Sequence, residues 1–172
     1  MVEGLGLPSP LLLTSEELET STDCFPMEFY DIRKHRWVLW GSDVIEGLQI
    51  DWSFYRAQVE HELRAKQLRL RQKAAEVLFD PERLGNLLAH SLSTFCVLGR
   101  HALILSGHEP RYKKAEVITA LEGVLGRRLE ACKQVLVLRS SKQVGTPDVT
   151  IMFDKYMGEI ATLVQFVDAL EK

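Results

Sequence analysis

The stretch from Asp51 to Leu78, DWSFYRAQVEHELRAKQLRLRQKAAEVL, limits what this chain can fold into more than any other part of it. Trp52, Tyr55, Val59, Leu63, Leu70, Ala74 and Val77 recur at spacings of three, four or seven. That places them on one side of a 3.6-residue helix. The other side carries Arg56, Glu60, Arg64, Gln67 and Arg71. Glu60 and Arg64, like Glu62 and Lys66, stand four apart in the favourable order, which supports an exposed helix by roughly 0.2–0.5 kcal/mol each. At about 1.5 Å per residue such a helix spans about 40 Å, and its apolar stripe needs other helices to cover it. The expected fold class is mainly α, a helical bundle of three long and two short helices, with an N-terminal arm that contains a short β-strand or hairpin.

The remaining segments supply the partners. Asp80-Pro81-Glu82 combines an N-cap, a proline at the first helical position and an acid in the first turn. The helix it opens should run to Ser106, stopped by Gly107, with Leu84, Leu88, Leu92, Phe95, Leu98, Ala102 and Leu105 as its stripe. Shorter helices are expected over about 111–125 and 128–139, on either side of Gly126. A polar loop, SSKQVGTPD, then leads to a last helix over about 148–171, where Val149, Phe153, Tyr156, Ile160, Leu163, Val167 and Leu170 keep a strict four-three spacing. Residues 51–172 thus read as a helical bundle domain. Residues 1–50 read as an extended arm: a Gly/Pro lead-in over 1–13, a short helix from the capping box Thr14–Glu17, and FPMEFYDIRKHRWVLWG at 25–41. The aromatic and β-branched residues of that last segment favour one or two strands.

With 172 residues, 46% apolar and 26% charged, the composition is that of a folded globular chain. The net charge of −3 argues against a global grip on nucleic acid and leaves room for a local basic patch. Three cysteines without a C-x-x-C spacing point to reduced thiols and a cytoplasmic setting. No run approaches the length of a membrane span and the first residues lack a basic signal-peptide region, so no membrane partner is expected.

No zinc-protease, nucleophile-elbow, P-loop or dinucleotide fingerprint occurs, and neither a metal site nor a catalytic residue is assigned. Two polar groupings remain. Arg83, Asn86, His90, Thr94 and His101 share a face of the second long helix, either its solvated side or one wall of a polar cleft. Arg64, Lys66, Arg69, Arg71 and Lys73 make the second half of the first long helix basic, either a solvated face or a surface for phosphates. The spacings Arg56-x4-His61 and Arg83-x6-His90 resemble the ribonuclease motif of helical HEPN domains. That offers an alternative reading as a helical ribonuclease or toxin–antitoxin component. A purely structural dimerisation module is the third.

Residues 25–78, FPMEFYDIRKHRWVLWGSDVIEGLQID followed by EHELRAKQLRLR, resemble the join in bacterial nucleotidyltransferase-like proteins. There the last strands of a polymerase-β-type core lead into a C-terminal helical substrate-binding domain. The resemblance implies a substrate- or partner-binding helical domain, with Arg56, Arg64, His90, Thr94 and His101 as substrate contacts. Glu28 or Asp31 would be the remnant of the core's third carboxylate. The family's Gly-Ser turn and Asp-x-Asp/Glu pair are missing: after Gly41-Ser42 come Asp43, Glu46 and Asp51, with Ser53 where the second acid would fall. This chain is therefore expected to be non-catalytic by itself. Mg and a nucleotide would enter only with a nucleotidyltransferase core supplied in cis or in trans. The alternative partner is a second copy, through the apolar arm.

Overall fold

A computed structural model describes residues 12–140 and 148–170. Among them are seven helices and no strand: α1 (Ser15–Thr20), α2 (Pro26–Lys34), α3 (Tyr55–Val77), α4 (Pro81–Leu105), α5 (Lys114–Leu125), α6 (Glu130–Ser140) and α7 (Val149–Ala169). The Gly/Pro lead-in and most of the polar loop at 140–148 lie outside the described residues. The chain divides into two compact units, with the division between Tyr55 and Arg56.

In the first unit, Thr14 and Glu17 form the expected capping box at the start of α1. The expected strand or hairpin is not formed. Pro26–Lys34, which aromatic and β-branched content favoured as strand, is helix. Pro26 sits in the first turn, Glu28 lies near the positive end of the helix dipole, and Arg33 and Lys34 lie near the negative end. A strand is stabilised by cross-strand neighbours; without a partner strand, end effects and burial decide. Phe29 of α2 joins Leu18 of α1 and Leu48 in a small apolar cluster edged by Ile32, Ile45 and Ile50. Residues 35–54 form no regular element.

The second unit is the helical bundle, and α4 is its centre. It packs against α5, α6 and α7. Asp80 caps it by accepting from the Arg83 N–H, and Gly107, at a φ of 78°, follows its end. Leu84, Leu88, Leu92, Ala102 and Leu103 are all but fully buried. α4 is also long and apolar enough, with a mean hydropathy of 1.3, to cross a membrane by length and composition, contrary to the expectation from uninterrupted apolar runs. Of that stretch, 56% is buried inside the protein, which is the state of a core helix.

Two carboxylates fix α6. Glu159 of α7 accepts from the Ala131 and Cys132 N–H groups, both at 2.8 Å. Glu122 of α5 accepts from the Leu129 N–H at 2.8 Å and binds Lys133 at 2.7 Å. Free N–H groups and the positive dipole end of a helix both favour a carboxylate there. α3 is tied to α7 by Arg56, which donates to the Val167 carbonyl, and by Arg64, which lies 3.4 Å from Asp168.

The two units also differ in charge. Three of the 21 Lys and Arg residues and ten of the 24 Asp and Glu residues lie in residues 1–55, a formal charge of −7. Residues 56–172 hold the other eighteen and fourteen, a formal charge of +4. The total of −3 conceals a basic helical unit.

Candidate functional site

α3 and α4 enclose a groove of about 320 Å³ within the helical unit. Its α3 wall carries Lys66, Arg69 and Lys73, at positions i, i+3 and i+7, which one helix face presents together. Its α4 wall carries His90 and Thr94, one turn apart, beside Leu87 and Ser91. The buried Leu70 and Phe95 complete the lining.

The cations of α3 fall into engaged and available sets. Arg56 pairs with Glu60 at 2.9 Å, Arg64 with Glu60 at 2.7 Å, and Lys66 with Glu62 at 3.0 Å. Between Arg64 and Arg56, Glu60 keeps its carboxyl below the usual range, Arg64 contributing most. Arg69 and Lys73 have no ion pair or hydrogen bond among the described residues. The same holds for Arg71, which is exposed and does not line the groove. On α4, His90 Nδ1 lies 2.6 Å from the Asn86 carbonyl oxygen. A carbonyl can only accept, so Nδ1 carries the proton and Nε2 of the neutral ring is left as an acceptor. Thr94 makes no hydrogen bond among the described residues, whereas Ser91 donates to the Leu88 carbonyl at 2.8 Å and meets the Tyr156 hydroxyl at 3.2 Å. The groove can therefore hold an anionic group: two available cations, one shared cation, an imidazole edge and a hydroxyl.

Of the residues singled out in the sequence, the structure brings His90 and Thr94 together. Arg56 and Arg64 are held in the Glu60 ion-pair set and do not line the groove. His101 is 1% exposed within the core of the bundle, not on a cleft wall. Glu28 and Asp31 stand three apart on α2, a helix and not the strand that the resemblance implies. Among the described residues no group of three His, Cys, Asp or Glu side chains could hold a metal ion. Arg69 and Lys73 belong to the basic run read from the sequence without being separated from it as substrate contacts, and Ser91 carries no sequence signal. The signal for the first two was present: 66, 69 and 73 share a face from which 64 and 71 are excluded.

A second feature belongs to the first unit. Arg36 clasps Asp43 with its Nε at 2.9 Å from both carboxylate oxygens and Nη2 at 2.5 Å from one, while the Ile45 N–H donates to the same carboxylate at 3.0 Å. Arg36 holds the Asp43 carboxyl below its ordinary range. The clasp closes a loop whose tip displays Trp37, Leu39 and Trp40, each over 90% exposed. Of the thiols, Cys24 is exposed, burial pushes Cys96 up to about 11, and burial next to Glu159 pushes Cys132 higher still. Compared with known proteins, the chain matches no family model, no curated protein and no solved structure.

Proposed function

We propose that this chain is the non-catalytic, substrate-binding helical domain of a nucleotidyltransferase-like protein, and that the α3–α4 groove holds a phosphate-bearing substrate. The observation that carries the reading is the pair Arg69 and Lys73, cations without carboxylate partners, facing His90 and Thr94 across a groove. Arg56, Arg64 and Lys66 of the same helix have acidic partners, and an open groove edged by uncompensated charge attracts anions. Mg and the reacting nucleotide would be held by a catalytic core in cis or in trans, the described residues of this chain holding no two-metal carboxylate set.

Calorimetric titration with inorganic triphosphate at low salt tests the reading. Saturable binding is expected, weakened at least tenfold by Arg69→Gln with Lys73→Gln and several-fold by Thr94→Val. Absence of binding, or binding that these changes leave intact, would overturn it.

A second reading, docking of the N-terminal unit to a catalytic core or to a second copy, is favoured by the Trp37–Trp40 loop. Exposed contiguous apolar surface of this kind marks interaction sites, and side-chain exposures above 90% leave both indoles for a partner. Sedimentation of the purified chain at rising concentration, compared with Trp37→Ser/Trp40→Ser, tests the self-association arm. Equal monomeric behaviour of both proteins would rule that arm out.

A further inference from the structure

We infer that the α3–α4 groove binds the sugar–phosphate backbone of single-stranded nucleic acid, laid along the seam between the two helices. The inference rests on the substrate-binding reading and narrows its ligand.

Three observations point to a strand and not to an isolated phosphate. Lys66, Arg69 and Lys73 form a row. Seven residues of helix at about 1.5 Å each spread the row over about 10 Å. Donors for a single phosphate converge on one point; donors in a row suit successive phosphates along a chain. The opposite wall adds the Thr94 hydroxyl, which can donate to a phosphate or a sugar oxygen, one turn from the His90 imidazole. The groove, at about 320 Å³, has room for part of one backbone and not for a duplex.

The electrostatics agree. The helical unit carries a formal +4, so the overall −3 gives no reason against polyanion binding by this half of the molecule. The lining offers no exposed Phe, Tyr or Trp face for base stacking, because Phe95 is 5% exposed. Binding should therefore depend on the backbone and tolerate any base sequence.

The test is fluorescence anisotropy with a labelled oligothymidylate of about twelve nucleotides, titrated from about 20 to about 200 mM salt. Three phosphate contacts on a single strand predict a slope of log affinity against log salt near −2 (about −0.7 per contact). Arg69→Gln with Lys73→Gln should lower affinity at least tenfold at low salt and bring the slope to about −0.7. Arg71→Gln, outside the groove, should leave affinity within about twofold, with circular dichroism reporting that every variant keeps its helices. Equal losses from Arg71→Gln and Arg69→Gln would overturn the groove as the site. Equal affinity for a duplex of the same length would overturn the single strand as the ligand. Triphosphate binding without oligonucleotide binding would sink this inference and leave the substrate-binding reading standing; failure of both ligands would sink both.

Discussion

The two units of this chain handle apolar residues in opposite ways. In the helical unit, α4 buries a nearly continuous face among α5, α6 and α7. In the N-terminal unit three buried residues, Leu18, Phe29 and Leu48, make the cluster, while Trp37, Leu39 and Trp40 are left in water. A segment of this length has too little interior for every large side chain it carries. The bundle buries most of its apolar stripes and leaves few large side chains such as Phe79 exposed, whereas the N-terminal unit exposes most of its largest ones. Their formal charges, +4 and −7, divide the same way, so the two halves suit different partners.

The sharpest test of that contrast is Leu88→Ala against Leu48→Ala. Leu88 is fully buried in a packed helix face, and the cavity left there should cost about 2–5 kcal/mol in urea unfolding. Leu48 belongs to a small cluster that can collapse around the gap, so a smaller loss is expected; equal losses would erase the distinction. Next in size is Glu159→Ala, which removes the acceptor of two α6 N–H groups and should cost about 1–3 kcal/mol. An unchanged denaturation midpoint would show that α6 is held by its apolar contacts alone.

Smaller and of opposite sign is Gly85→Ala. A Cβ there would meet Leu138 Cδ2 at an ordinary 3.6 Å, so relief of glycine's helix penalty should stabilise the bundle by about 0.5–1 kcal/mol. Gly99→Ala should gain less, because its Cβ would come within 2.7 Å of Leu121 Cδ1 and the leucine must move.

Acid should weaken the bundle through Glu60 and Glu122. Both carboxyls are depressed, by Arg64 first and by Lys133 first respectively. A depressed acid stabilises the fold when ionised, and that contribution disappears as pH falls through its folded value. Urea midpoints should hold from neutral pH to the top of the carboxylate range and fall below it, less steeply in Glu122→Gln. The smallest effect is chemical. A thiol reagent at neutral pH should modify Cys24 and leave Cys96 and the partly buried Cys132 until urea is added, whereas prompt reaction of all three would contradict the shielding of the latter two.

Sequence reading located the bundle helices because each long one repeats its apolar positions over several turns and carries clear end signals, as at Asp80-Pro81 and Gly107. It misjudged 25–41, where side chains that fit a pleated surface had no strand to pair with. For the groove, periodicity found His90 and Thr94 but carried the same stripe on to His101. That end of α4 is covered by α5, which comes so close at Gly99 that a methyl group would strike Leu121. Which face of a helix stays open depends on a neighbour far along the chain, and no local spacing records it. The basic run of α3 was legible as a run. Its division between Glu60 partners and groove donors required the positions of the acids.

The central place of α4 also bears on how the protein is made. Every helix that α4 packs against in the bundle core, from α5 to α7, follows it in the chain. A nascent chain ending before α7 would present a 25-residue helix with the apolar character of a membrane segment and an incomplete cover. Until the last helix has left the ribosome, that exposed apolar face is open to other nascent chains. Loss of α7 should therefore send the protein into aggregates or onto membranes instead of leaving a smaller folded domain.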